Sequence, residues 1–554
     1  VRRAGVLGAL SAVLGLGLSA TAPPAGKDAG CPVVFTDVAA SAGLKFTHER
    51  GATPEHHLPE TMGAGLAWFD YDNDGWMDLY VVQSGPFPPN GSPTAQDRLF
   101  HNNGDGTFTD VTQKAKIGHG QYGMGVVAAD YDNDGFTDLY VTGFGRNTLY
   151  HNNGDGTFTD VTEKAGVAGS GWSTSAAFAD FDGDGLLDLF VVRYVDYSVE
   201  KNYFCGDAAL NRRDYCSPKV YPPVSNLLFH NNGDGTFTDI SESSGISRAL
   251  GKGLGVIVAD LDDDGRPDVY VANDTTMNFL FRNLGGNRFE DISLLSGAGL
   301  NAAGRPMGGM GVNAGDLDGD GKLDLVVANF EAEINSFYRN LGDGVFEDVS
   351  AVSGFGGPSF AYSGFGLNLF DAANAGRLDA FIANGHVLEQ PRMQGSTYAE
   401  RPFLMWNDGK GRFTERGCGD PFRRKLVGRG SAAADYDNDG DIDVAVSNSG
   451  GPLQLLRNDG KHGNWIGFVL RGSRSNRQGV GARVMIEAGG ARQVREARAG
   501  ESYLSSSDPR VHFGIGKATG VQAVTIRWPS GTVQTVSDAV PGRYNLVEEP
   551  RTPR

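Results

Sequence analysis

Cysteine is scarce in this chain, four in 554 residues, and no two stand in a CxxC pair, so the usual spacings for structural zinc and thiol redox chemistry are missing. No GxSxG nucleophile elbow and no HExxH zinc motif occurs either. Basic residues are outnumbered: 48 Lys and Arg stand against 67 Asp and Glu, and the formal charge of −19 argues against nucleic acid or an anionic membrane as a partner. Beyond the first residues no apolar run approaches the roughly 20 residues that a membrane-spanning helix needs. Glycine, by contrast, is abundant. The 81 glycines keep no every-third-residue period and accompany 40% hydrophobic residues, which fits a turn-rich globular β protein and not collagen.

At the start, Arg2 and Arg3 precede an apolar run from Ala4 to Leu18 and then small residues, the layout of a secretory signal peptide. Residues 1–22 are therefore expected to be removed and the rest exported, to the periplasm, the cell surface or the medium. A retained membrane anchor is the poorer reading, because the run is only about 15 residues long. Export permits disulfides. Cys205 and Cys216 close a short loop and are the expected pair, whereas pairing Cys31 with Cys418 follows only by elimination.

One motif, DxDxDGxxD, recurs along most of the chain. Its aspartates are Asp70, Asp72, Asp74 and Asp78 in the first copy, then Asp130, Asp132, Asp134 and Asp138, then Asp180, Asp182, Asp184 and Asp188. Further copies hold Asp260, Asp262, Asp264 and Asp268, then Asp316, Asp318, Asp320 and Asp324, and finally Asp435, Asp437, Asp439 and Asp443. Between the last two lies a degenerate copy, DAANAGRLD, that keeps only Asp371, Gly376 and Asp379. Seven units result.

Each unit predicts four strands. Five residues ahead of the first Asp stands a small residue (Gly65, Gly125, Ser175, Gly255, Gly311, Gly366 or Gly430), and the mostly apolar run between them reads as a buried strand. A second strand follows the acidic loop. A third leads into a glycine-rich hairpin such as LFHNNGDGTF from Leu99, and an FTDV or FEDV strand comes after it. Four antiparallel strands repeated seven times describe an all-β, seven-bladed propeller over residues 33–460. The last unit lacks its fourth strand, while an orphan FTDV, Phe35 to Val38, stands near the start and is expected to complete blade seven.

Carboxylates at loop positions 1, 3, 5 and 9, with a backbone carbonyl at 7 and glycine at 6 for the turn, suit Ca²⁺, which takes six to eight oxygens. An EF-hand would need Glu at position 12, where this chain has Val81, Val141, Val191, Val271, Val327, Ile382 and Val446. The loops therefore join strands, and about six structural calcium ions are expected, with none at the degenerate loop. Solvated aspartate turns without metal, and tight octahedral magnesium sites, are the competing readings.

These repeats resemble the FG-GAP/VCBS class of calcium-loop propeller repeats, similar to those of the integrin α-chain head. From about Lys461 the acidic period stops, arginine becomes frequent, and NWIGFVLRGSRSNRQGVGARVMIEAGG leads to SYLSSSDPRVHFGIGK and VTIRWPSGTVQ. This segment, 461–548, predicts a small β domain and resembles the ASPIC/UnbV domain. The pairing resembles the cartilage acidic protein family, which implies an exported calcium-binding protein and carries no reaction to transfer.

GMGVVA at Gly123 and GLGVIV at Gly253 look like nucleotide loops but recur as inner strands. His101, His151 and His230 share one repeat position and read as exposed strand residues; His56 and His57 are adjacent and could bind a metal, though adjacency alone is a weak signal. Units one, three and six carry insertions, all between the second and third strands, which places them on the face opposite the acidic loops. Long loops on one face of a rigid scaffold are usual recognition surfaces. The expected function is thus an exported calcium-binding scaffold that recognises a protein or glycan, as in cell adhesion, and not an enzyme. The alternatives are a polysaccharide-directed enzyme with a site on the insertion face, or an accessory factor for envelope assembly or transport.

Overall fold

The computed structural model describes residues 33–87, 96–118, 122–209, 212–391, 393–460 and 462–551. The expected signal segment and Cys31 lie outside them. Seven sheets of four antiparallel strands occupy residues 35–458. Their first strands are Leu66–Phe69, Tyr122–Ala129, Ser173–Ala179, Gly253–Ala259, Gly309–Gly315, Gly364–Phe370 and Gly428–Ala434. Each first strand packs beside the next, and the seventh packs on the first, so the ring is closed. The seventh sheet takes its fourth strand from the start of the described chain: Phe35–Asp37 pairs antiparallel with Gln454–Asn458, Phe35 opposite Asn458. That is the closure the orphan FTDV predicts.

The core lies between the blades. Trp68, Leu79, Phe100 and Phe108 of blade one bury against Tyr436, Ala445 and Leu455 of blade seven, and comparable clusters fill the other gaps. Such burial is the main stabilising contribution, since no single blade can cover both of its apolar faces. Among the described residues no helix is long and apolar enough to cross a membrane.

The C-terminal domain is a small sandwich. Asn464–Arg471 lies between Val511–Gly516 and Tyr544–Glu548, and a second sheet comprises Ala491–Glu496, Arg483–Ala488, Ala523–Arg527 and Val533–Val536. Ile466, Phe468, Val484, Phe513, Ile526 and Trp528 form its core.

One segment of this domain leaves the sandwich altogether. Residues 499–508 enter the centre of the ring and bond to the inner strands of the blades: Trp68 N donates to Ser506 O at 3.0 Å, Val126 N to Leu504 O at 3.1 Å, and Val312 N to Ser502 O at 3.1 Å. Deeper still, Tyr503 OH donates to Met62 O at 2.9 Å, close to the insertions. The small residues of the repeat make room for this. A Cβ on Gly65 would come within 1.7 Å of Leu504 O, and one on Gly311 within 2.0 Å of Phe365 O of the next blade.

Candidate metal centres

In the first acidic loop, Gly75 takes a φ of 89°, which glycine adopts without strain, and turns the chain back on Asp70. Asp70 then accepts hydrogen bonds from Gly75 N at 2.9 Å and Asp74 N at 3.1 Å. Asp78, fully buried, accepts from Tyr71 N at 3.0 Å and from Asn102 N, on the third strand, at 2.8 Å. Positions 1 and 9 thus close the loop and tie it to the third strand, while position 5 in this loop accepts from an amide only two residues on, Trp76 N donating to Asp74 at 2.9 Å.

The asparagine that opens the hairpin turn has a second role that the sequence did not reveal. Asn102 Nδ2 donates to Tyr436 O at 2.8 Å, Asn152 to Tyr71 O at 2.8 Å, and Asn231 to Tyr131 O at 2.8 Å. The same bond recurs from Asn283, Asn340, Asn407 and Asn458. Every blade is clasped to the loop of the blade before it. Position 4 adds a further tie in four loops, as when Asn73 Nδ2 donates to Gly135 O at 2.9 Å.

Ligating oxygens of Asp70, Asp72 and Asp74 lie within 4.8 Å of one another, and so do those of Asp130, Asp132 and Asp138. Burial first, then the neighbouring carboxylates, pushes Asp70 up to about 6 and Asp78 and Asp138 up to about 7. In loop seven, Asp435 Oδ1, Asp437 Oδ1 and Asp443 Oδ2 are buried without a hydrogen-bond partner among the described residues. In loop seven an all-oxygen donor set with orphaned, buried lone pairs suits a hard divalent cation, whereas in loops one to three an imidazole of His101, His151 or His230 joins the carboxylate cluster.

The degenerate loop keeps Asp371, which accepts from Gly376 N at 2.6 Å and Ala375 N at 2.8 Å, and Asp379, which accepts from Asn407 N at 2.8 Å. Ala373 and Ala375 replace the carboxylates of positions 3 and 5. The C-terminal domain rests on this loop: Gly516 N donates to Asn374 O at 2.7 Å and Gly463 N to Ala373 O at 2.9 Å. Loop six is a docking seat.

One expectation needs correcting. His101, His151 and His230 are not free strand residues: Nδ1 of His101 lies 3.2 Å from Asp78 Oδ1 and 3.5 Å from Asp72 Oδ2, and the other two histidines repeat the arrangement. The third strand runs antiparallel beside the start of the second, so the residue before the turn asparagine faces position 9. Asp78 raises the basicity of His101 and Asp138 that of His151. At the same position Arg282 and Arg339 instead pair with Glu290 and Glu347. His56 and His57 are packing residues; His57 Nδ1 meets Tyr197 OH at 2.6 Å.

The arginines of the C-terminal domain face the acidic loops. Arg510 donates to Asp435 O and to Asn438 Oδ1, each at 2.6 Å, Arg483 Nη2 donates to Gly321 O at 2.7 Å, and Arg527 pairs with Asp260. The basic module is therefore laid over the acidic face.

The family comparisons fit this layout. A model described as FG-GAP-like repeat matches residues 70–141, 130–191, 220–271, 260–327 and 316–382, together about half of the chain. The chain belongs to the FG-GAP-like repeat family. A second model, ASPIC and UnbV, matches residues 472–554 of this FG-GAP-repeat chain. It is homologous to cartilage acidic protein 1: the human protein is 28% identical over 326 residues, covering 57% of this chain and 46% of the relative, and that of Xenopus tropicalis is 28% identical over 324 residues, covering 56% and 46%. The match thus spans about half the length of these relatives. Among solved structures, an Agrocybe aegerita lectin specific for non-reducing terminal N-acetylglucosamine gives a TM-score of 0.38 at 19% identity, covering 64% of this chain and 79% of its own. BBS1N in complex with ARL6DN gives 0.40 at 9% identity, covering 76% and 96%. No ligand of either is carried over to the FG-GAP-repeat chain.

Away from the loops, the insertions of blades one, three and six meet on the opposite face, stitched by the segment that precedes blade one. Arg50 bonds Tyr398 OH at 2.7 Å and Glu389 at 2.6 Å, Asn202 donates to Glu55 O at 2.8 Å, and Tyr215 OH donates to Glu60 at 2.8 Å. The expected Cys205–Cys216 disulfide is formed within the third insertion. Cys418 is also disulfide-bonded, and the expected pairing with Cys31 falls on a residue outside the described ones.

Proposed function

We propose that this FG-GAP-repeat protein is an exported, calcium-dependent recognition scaffold that binds a protein or glycan ligand on its insertion face. The observation that carries this reading is the separation of roles between the two faces. The acidic loops are engaged with one another and with the C-terminal domain, whereas the three insertions gather on the other face around Tyr194, Tyr197 and Tyr221, with Tyr503 of the channel segment beneath them. Loops held in place by a rigid ring suit recognition.

Six loops would each hold one Ca²⁺ through positions 1, 3, 5 and 9, Asp70, Asp72, Asp74 and Asp78 in the first. Calcium would supply positive charge that lets these carboxylates ionise together. The residues around it position the loop: Gly75 N and Asn102 N orient Asp70 and Asp78, and the turn asparagines transmit the loop's order to the neighbouring blade. The role is structural, and we read the protein as a binder and not a catalyst.

Metal analysis of the purified chain, with thermal unfolding in calcium and in chelator, tests the metal sites: about six bound ions and a large chelator effect are expected, and no bound calcium with no effect would refute them. A glycan array and affinity purification in calcium buffer test recognition. Turnover of an arrayed polysaccharide would replace the scaffold with an enzyme, and co-purification of an envelope assembly complex would favour an accessory role.

A further inference from the structure

The C-terminal domain does not cover the acidic face evenly. It is pinned to loop two, where Gln478 Oε1 accepts from Asp130 N at 2.9 Å and Arg477 N donates to Asn133 Oδ1 at 2.6 Å. It is pinned again to loop seven through Arg510. Between these anchors it spans loop one with no hydrogen bond to that loop among the described residues. A cleft of about 740 Å³ remains beneath the bridge. We propose that this cleft is a second binding site, separate from the insertion face, and that it takes a carboxylated oligosaccharide of the oligouronate type.

The cleft has the size of a small-ligand site. Four arginines line it, and they divide into two kinds. Arg510 is neutralised by Asp508 and Arg471 by Glu548. Arg477 and Arg543 are exposed, and among the described residues neither has an ion-pair partner. A guanidinium without a carboxylate, on the wall of a cleft, is a receptor for one, because its forked donors match the two carboxylate oxygens. The opposite wall is formed by Asp70, Asp130 and Asp134 of loops one and two. With cations in these loops that wall no longer repels an anion, and it offers calcium to carboxylate and hydroxyl oxygens; this part of the argument rests on the calcium reading, whereas the two arginines do not.

Several cationic points along one cleft call for a ligand with more than one carboxylate. The aromatic rings at the back are already covered: Trp465 stacks on His512 at 5.5 Å, and the guanidinium of Arg510 lies 3.9 Å above Tyr544. Beside these rings the cleft keeps a small open apolar surface, Val469 and the half-buried Phe136, next to its charged and hydrogen-bonding groups. A polyhydroxylated polyanion can use the two guanidiniums, the hydrogen-bonding groups and, through the C–H faces of its rings, this small apolar surface, and tetraglutamate tests an acidic peptide in the same cleft.

Titration calorimetry of the full chain in calcium, with tetragalacturonate as the probe, tests the site. Binding is expected, with affinity about tenfold or more lower in the Arg477→Ala, Arg543→Ala double variant, at unchanged metal content and unfolding midpoint. The methyl ester of the same tetramer should not bind. No binding by a calcium-loaded wild type, or equal affinity in the double variant, would overturn the proposal, as would equal binding of tetraglutamate. If the protein holds no calcium, the reading of the loops fails; the cleft then stands only if the metal-free wild type binds tetragalacturonate and the arginine variant does not, and absence of binding by that wild type overturns it too.

Discussion

Loop six and its six acidic counterparts share one turn and differ in two of four carboxylates. All seven keep an aspartate at position 1 that accepts from the glycine at position 6, and one at position 9 that accepts from the third strand. Of the four aspartates only those at positions 3 and 5 are replaced, by Ala373 and Ala375. The loop that lost these carboxylates kept the two that tie the turn to glycine 6 and to the third strand; the backbone amides that positions 3 and 5 accept from lie only two residues on, as when Trp76 N donates to Asp74 at 2.9 Å, so their loss leaves the tie to the blade intact. The degenerate copy is the control experiment for the other six.

The largest perturbation of that contrast should be removal of metal. A ligand held about 100-fold above its Kd stabilises the native state by about 2.7 kcal/mol per site, so chelation should lower the unfolding midpoint more than any substitution below. Asp379→Ala in loop six comes next. It strips the acceptor from the buried Asn407 and Ala372 amides, at a cost of about 1–3 kcal/mol that should be the same with and without calcium. Asp72→Ala, at position 3 of loop one, should be costly in calcium and nearly silent in chelator. Equal behaviour of these two variants in denaturant titrations would abolish the distinction.

Gly514→Ala tests loop six as a seat. Its Cβ would come within 2.1 Å of Asp371 Oδ2, and overpacking at the seam should cost about 1–3 kcal/mol with metal content unchanged. The smallest effect concerns the seam at loop seven, where His512 Nε2 meets Gly440 O at 3.0 Å. Burial holds this imidazole at about 3, against 6.5 for the ordinary side chain, so it stays neutral in the native state while the unfolded chain takes up a proton below about pH 6.5. Its contribution is complete above that pH and is lost as pH falls towards 3. Between about pH 7.5 and 5.5 the loss should reach about 1.4 kcal/mol, and His512→Gln should flatten that part of the stability profile.

Much of this was legible along the chain. The blade is a local unit, with Asp70 to Phe108 carrying loop, strands and hairpin in one stretch, so period and turn chemistry suffice to read it. The orphan strand at Phe35 was legible by counting, because a blade short of one strand must find it elsewhere. The insertions were visible as extra residues between fixed landmarks. His101 was misread because a strand residue's neighbour across the sheet lies outside its own local pattern, although its recurrence beside an acidic loop in three blades was a usable signal.

By itself, then, the sequence determined the repeat, the ring it closes into and the carboxylates available to a cation, because each depends on contacts within a blade or between successive ones. It also showed a basic module following an acidic one. Only the tertiary structure decided how they meet: residues 499–508 have no period and no turn signature, and their partners, from Leu66 to Ala433, are spread around the ring. A segment whose conformation is set by hydrogen bonds to the inner strands of several blades cannot announce itself locally, since the groups that hold it come together only after the ring has closed.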